Sequence, residues 1–285
     1  MKYNVKGDIE FISICIPLSY SKLAEALNVA RSTITRMVSE EINPSMDFLE
    51  KLYSFAYHNQ YRSIDINRLK ISFASEYLEK VLFHGAKDDI DGEIDLNHSR
   101  TDIDVGKGFY LGESYEQAAS YIYANKKSSV YIFDASRLKE LTVKEFDVSL
   151  EWMLLVCYYR GQLEEYKDSP LIKKIIKEVE SVDVVIAPIA DNNMYEIMNS
   201  FARGVISDVQ ASYALSASHL GKQYVLKTKK ACQLITPVER LYLCKSERED
   251  VEKRRREASL MSKDESKHAI ESYRRQGKYI EEILK

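Results

Sequence analysis

Apolar positions recur every three to four residues through roughly residues 8–75. Through roughly 80–245 they fall into short β-type runs alternating with helical stretches, and from Ser246 onward they thin out into a highly charged segment. Period 3.6 marks helix and period 2 or a short apolar run marks strand. The pattern therefore sets three zones: a helical N-terminal domain over 1–76, a mixed domain over 77–245 and a charged helical tail over 246–285.

In the first zone SYSKLAEALNVARSTITRMVSE reads as two short helices around a tight turn. Leu23, Ala24 and Leu27 share one face, and Asn28 tolerates the left-handed backbone that a helix C-cap requires. Arg31 or Ser32 opens the second helix, with Ile34 and Val38 turned inward and Thr33, Thr35 and Arg36 outward. After Pro44, SMDFLEKLYSFAYHN is a further amphipathic helix whose apolar positions are Phe48, Leu52, Phe55 and Ala56.

The second zone opens on VLF, a short buried-strand candidate that ends at His84-Gly85. Gly106 and Gly108 bracket a turn into the strand Phe109-Tyr110-Leu111, and Ser114 is a suitable N-cap for the helix YEQAASYIYA. SVYIFDAS is a strand by alternation, LEWMLLVCYYRG a buried helix, and SVDVVIAPIAD a β-branched buried strand. MYEIMNSFARGVIS and SDVQASYALSASH read as helices, KQYVLKT as a strand, and LYLCKS as the last one after a turn. Strands interleaved with helices in this irregular order predict an α+β fold and not a parallel βαβ sheet.

Composition narrows the function classes. Forty-one basic residues against 44 acidic ones leave a net charge of −3, so there is no global attraction to nucleic acid or an anionic membrane. Cys15, Cys157, Cys232 and Cys244 form no CxxC pair, which points to neither a zinc site nor a redox motif. The segment FISICIP is too short for a signal peptide, and no apolar run approaches a membrane span. The expectation is a cytoplasmic protein without a membrane partner. Tyrosine is abundant, 20 against 9 Phe and 1 Trp, a bias that suits half-buried surfaces and clefts.

The candidate chemistry lies in an ordered set of motifs: VLFHGAK, SRTDIDVGKGFYLGESYEQAASYI, VVIAPIADNNMYEIMNSFARGVIS and LGKQYVLKTKKA. Together they resemble the His-Tyr-Glu class of ADP-ribosyltransferases, the group of the poly(ADP-ribose) polymerases and diphtheria-like toxins. Within that group they are most similar to the bacterial domain-of-unknown-function family 3990. The resemblance covers most of residues 80–240 and implies a split β-sheet domain with NAD as co-substrate. It implies that His84 bonds the adenosine-side ribose, that the Gly85 backbone pairs with the nicotinamide carboxamide, and that Tyr110 and Tyr121 sandwich the nicotinamide ring. Gly106 and Gly108 then shape the turn that brings Tyr110 in, Gly108 and Phe109 count among the cofactor-binding residues, and Arg100 is a candidate for the pyrophosphate. Asp104 and Lys107 are ambiguous.

The third position of the class departs from its pattern. A glutamate begins the last core strand in the class, where LGKQYVLKT places Gln223. An amide still accepts from a ribose hydroxyl but carries no charge to set against a developing cation and takes no proton. Glu113, Glu116, Asp191 and Glu196 are the candidate acids nearby.

The first zone resembles the repressor-type helix-turn-helix family through LAEALNVARSTITRM and NPSMDFLEKLYSFA. That resemblance implies DNA contacts by Arg31, Thr33, Thr35 and Arg36. Lys22, Arg31 and Arg36 are offset by Glu25, Glu40 and Glu41, and a bundle that docks on the second domain or on an antitoxin-like partner fits the same residues. Two functions stay open. One is mono-ADP-ribosyl transfer to a protein or nucleic-acid acceptor, toxin-like or regulatory. The other is a helix-turn-helix regulator whose transferase-like domain binds NAD or ADP-ribose without transfer. In the tail, EREDVEKRRREA is a solvated helix of near-neighbour ion pairs, and Ile270, Tyr273, Ile280 and Leu284 form a thin apolar stripe.

Overall fold

The computed structural model describes residues 1–58, 63–90, 92–216 and 221–285. The ends of two helices read from sequence, at Asn59 and over 217–219, lie outside them. Five helices come first: α1 (Val5–Cys15), α2 (Tyr20–Ala26), α3 (Arg31–Val38), α4 (Met46–Tyr57) and α5 (Ile66–Tyr77). The mixed region follows as β1 (Val81–Ala86), β2 (Phe109–Gly112), α6 (Tyr115–Ile122), β3 (Ser129–Asp134) and β4 (Val143–Glu145). It continues as α7 (Leu150–Tyr159), α8 (Pro170–Glu180), β5 (Val184–Pro188), α9 (Asn192–Ala202), α10 (Asp208–Ser216) and β6 (Lys222–Leu226). The chain closes with α11 (Lys229–Gln233), β7 (Thr236–Tyr242), α12 (Lys245–Ser272) and α13 (Ile280–Leu284). The protein is α+β, and among the described residues no helix is long and apolar enough to cross a membrane.

The chain divides into two compact units that cut across the linear zones. The first comprises residues 1–91, 115–136 and 236–253. In it α1 to α4 close one core around Ile9, Ile12, Leu23, Ile34, Leu49 and Leu52, and Tyr242 and Cys244 belong to that same core. Strands β1, β3 and β7 form antiparallel pairs in that order. Helix α6 covers β1 and β3, with Ala118, Ala119 and Ile122 packed against Phe83, Val130 and Ile132. The helical zone is therefore built onto β7 within one unit. Asn67 Nδ2 donates to the Tyr242 carbonyl at 2.9 Å, and Lys70 on α5 pairs with Glu239 on β7.

The α2–α3 pair forms as the pattern predicts. Ser19 caps α2 by accepting from the Lys22 N–H, and Asn28 takes φ 49° in the turn. Arg31 opens α3 as expected, with Ala30 as its N-cap. Ile34 is buried, but Met37 and not Val38 is its fully buried companion; Val38 is half-buried, because 34 and 37 are the positions facing the core one turn apart. Arg31, Thr35 and Arg36 are exposed and Thr33 is half-buried.

The last strand differs from LYLCKS. It starts at Thr236, five residues earlier, and ends at Tyr242. Pro237 is compatible with strand here because β7 lies at the outer end of the β1-β3-β7 order and its pairing with β3 is irregular at this residue.

The second unit comprises residues 92–114, 137–235 and 254–285. Its strands run in the order β4-β5-β6-β2, with β4 and β5 parallel and the other two pairings antiparallel. The core is built on α7, whose Trp152 to Cys157 are all inaccessible, together with α8, α9 and α10. Residues 254–272 of α12 belong here. Ser266 donates to the Ala214 carbonyl, Gln210 to the Ile270 carbonyl, and Tyr273 stacks on Tyr213 with centroids 3.6 Å apart. Ile280 and Leu284 of α13 enter the core. The apolar stripe of the tail is thus a packing surface for its own unit.

Candidate functional site

Tyr110 and Gln223 share one sheet face in the second unit. In the β2–β6 register Tyr110 opposes Val225 and Gly112 opposes Gln223. Opposed residues of an antiparallel pair point to the same side, and so do residues two apart. Tyr110 and Gln223 are therefore diagonal neighbours, with Gly112 bringing no side chain between them.

A three-residue turn, Asp104 to Gly106, holds both. The Tyr110 hydroxyl donates to the Gly106 carbonyl at 2.6 Å and accepts from the Val105 N–H at 3.2 Å. Gln223 Nε2 donates to Asp104 Oδ2 and to the Pro188 carbonyl, each at 3.1 Å. Asp104 in turn accepts from the Arg160 guanidinium, through Nε at 3.1 Å and through Nη2, and from the Ala190 N–H at 3.4 Å. Gln223 and Asp104 are 5% and 4% exposed. Burial pushes the Tyr110 phenol far above its usual range, so its hydroxyl is a hydrogen-bonding group and not an acid. The ring packs half-buried on the core.

Lys227 completes the turn by donating to the Val105 carbonyl at 2.7 Å, with its ammonium 5.6 Å from the Tyr159 ring centroid. Burial lowers its pKa to about 8. Gly106 sits at φ +69°, and a Cβ there would lie 2.4 Å from the Tyr159 ring. At Gly108 a Cβ would lie 2.5 Å from Val225 Cγ1. Both glycines of GKG are required by this packing.

The remaining candidates have partners of their own. Arg100 is exposed and its guanidinium pairs with Asp102 through Nε at 3.1 Å and Nη2 at 2.8 Å. Phe109 opposes Leu226 at the start of β2. Of the four acids, Glu113 lies beside Gln223, accepting from the Lys222 N–H at 3.0 Å and from the Tyr224 hydroxyl at 3.4 Å. Glu116 belongs to the first unit and pairs with Arg68. Asp191 caps α9 through the Met194 N–H at 2.8 Å, and Glu196 lies on that helix. The acid bonded to the Gln223 amide is Asp104. Its partner Arg160 is not among the residues read from the sequence, although an arginine that closes a largely apolar helix signals a buried counter-charge.

In the first unit His84 and Gly85 lie on β1, where His84 opposes Tyr131 and Gly85 opposes Val130. A Cβ on Gly85 would come 2.4 Å from the Ala118 carbonyl and 3.0 Å from Ile122 Cγ2, so α6 lies directly on this glycine. Tyr121, on the same helix, is 61% exposed.

An α+β protein with a Tyr–Gln pair set on adjacent strands by one turn is the class that fold and site define. The chain belongs to the family described as "Protein of unknown function (DUF3990)", whose model matches residues 80–236, more than half of its 285 residues. Neither the comparison with curated proteins nor that with solved structures returned a match.

Proposed function

We propose that this chain is an NAD-dependent mono-ADP-ribosyltransferase. The observation that supports it most is the placement of Tyr110 and Gln223 on one face of β2 and β6, both anchored on the Asp104–Gly106 turn. Cleavage breaks the bond between nicotinamide N1 and ribose C1′. The electron pair leaves with nicotinamide, and C1′ carries the cationic character until the acceptor's nucleophile adds and gives up its proton to solvent or a base. Such an oxocarbenium-like centre is stabilised by fixed acceptor groups. Gln223 Oε1 is an acceptor in a fixed place, and the Tyr110 ring offers an aromatic face for stacking. His84, Gly85 and Tyr121 enter the reading through the family resemblance, as contacts to the ribose, the carboxamide and the other face of the ring.

The test is incubation with NAD labelled in the adenylate and, separately, in the nicotinamide, with a bacterial lysate as acceptor source. Wild type should release nicotinamide and label a macromolecule, and Tyr110→Ala should do neither. Equal product from the two proteins sinks the proposal.

A second reading is motivated by the amide at position 223: the domain binds NAD or ADP-ribose without transfer, and the N-terminal helices act as a DNA-binding regulator. Calorimetry that gives saturable NAD binding with no nicotinamide released selects it over the first.

A further inference from the structure

We propose that Asp104 is a positioning residue that makes this site specific for an amide at position 223: clamped by Arg160, it turns Gln223 Nε2 inward and leaves Oε1 as the acceptor presented to substrate. The inference rests on the transferase reading and deepens it, because it states what kind of group faces the ribose.

The chemistry of the partners fixes the orientation. Nε2 faces a carboxylate oxygen and a backbone carbonyl, each at 3.1 Å. Neither can donate, so only a donor fits against them, and the amide cannot be turned over. Asp104 is locked in turn, since its other oxygen receives the Arg160 guanidinium and the Ala190 N–H reaches Oδ2. Arg160 is itself held over the Tyr195 ring, 5.0 Å from its centroid. Every atom in this chain of contacts lies in the second unit, and its two central side chains are almost fully buried.

Two consequences follow. A hydrogen bond to an anion polarises the amide and moves electron density toward Oε1. Asp104 thereby strengthens the acceptor without touching the substrate, and part of the charge that a glutamate would carry is supplied one hydrogen bond behind the amide. Second, a glutamate at 223 would set a carboxylate oxygen against the Asp104 carboxylate and the Pro188 carbonyl. Two buried carboxylates in contact cannot both ionise, so the pair would hold a shared proton or move apart. The glutamine is therefore what this surrounding requires, and not a decayed acid.

The test compares wild type, Gln223→Glu, Asp104→Asn and the double variant Asp104→Asn/Gln223→Glu. Melting temperature, NAD affinity, and kcat and KM for nicotinamide release are measured for each full-length protein. The double variant relieves the contact between positions 104 and 223, while the Pro188 carbonyl still faces an acceptor. The carboxamide placed at position 104 can donate through its nitrogen to the carboxylate placed at position 223, while its oxygen accepts from Arg160. Gln223→Glu should lose at least about tenfold in kcat and melt lower than wild type. The double variant should recover a measurable part of both losses. Asp104→Asn alone should lower kcat with KM little changed, which a residue that only supports the fold would not do once the protein is folded. The proposal is overturned if Gln223→Glu is as active as wild type, or if the double variant is no better than Gln223→Glu. If wild type neither binds NAD nor releases nicotinamide, the transferase reading falls separately. Melting temperatures then decide the amide arrangement: recovery in the double variant upholds it, and no recovery overturns it.

Discussion

The Tyr242 hydroxyl donates to Glu50 Oε2 across 2.9 Å, joining the end of β7 to α4. Glu50 also accepts from the Lys245 N–H at 2.7 Å, from Ser54 and from Arg248. Burial works against the ionised carboxyl, but these donors outweigh it and hold its pKa below the usual range. The helical zone is thus tied by polar contacts, as well as by its shared core, to residues near 242–248. A fragment ending at residue 76 lacks Tyr242 and Cys244 from that core. It should show weak helical circular dichroism and no cooperative melt. A sharp thermal transition in the fragment would show the helices to be autonomous.

Gly85→Ala should be destabilising in the absence of any ligand. The added methyl meets backbone, the Ala118 carbonyl, which cannot rotate away. Overpacking of this kind costs about 1–3 kcal/mol. Gly92→Ala is the informative control, since nothing lies within 4 Å of its Cβ position and only its φ of +80° opposes the change. Urea midpoints that fall equally in the two variants would count against the packing of α6 on β1.

Stability should decline as pH rises through neutrality, because of Glu247. It is buried among Asn67 and Tyr115, and burial raises its pKa to about 7 despite their hydrogen bonds. A carboxyl raised in the folded state favours folding below its unfolded pKa near 4.5 and loses that contribution as pH climbs through about 7. At ~1.4 kcal/mol for each tenfold in proton affinity, the whole effect is on the order of 3 kcal/mol. Urea unfolding at pH 5 and pH 8 should show the gap in wild type and a much smaller one in Glu247→Gln. Equal gaps would remove Glu247 as the cause.

The exposed Arg31 and Arg36 of α3 carry the DNA-binding reading. Arg36 is paired only loosely, with Glu41 at 3.5 Å. Titration of a labelled duplex at several salt concentrations should give an affinity that falls with salt. The Arg31→Ala/Arg36→Ala variant should flatten the log–log salt slope by about 2, one for each lost phosphate contact. Superimposable isotherms would leave α3 a purely structural helix.

Strands β1, β2, β3, β5 and β6 are legible in the sequence because each is a short β-branched or aromatic run bounded by turn residues. Local signals also mark α7 and the Asn28 turn. Helix α8 carries a clear signal of its own, Pro170 at the first position with Ile172, Ile175 and Val179 on one face, yet it is missing from the elements read from the sequence. What no local pattern reveals is long-range partnership. Asp104 and Gln223 are separated by more than a hundred residues, and nothing in TDIDVGKG says that its second aspartate turns inward. The same limit hides the place of β7. TPVERLY contains a proline and two charges, and reads as strand only once its partner β3 is known.

The irregularity in that pairing has a consequence for solubility. Ile132 opposes Glu239 while Phe133 opposes Pro237, so Val238 has no counterpart across the ladder. A strand from another molecule docking on that flank would meet a proline and a backbone bent by the extra residue. Both devices discourage edge-to-edge aggregation. The outermost strand of the first unit is thereby a poor template for fibre growth, even though Leu241 and Tyr242 follow a few residues later.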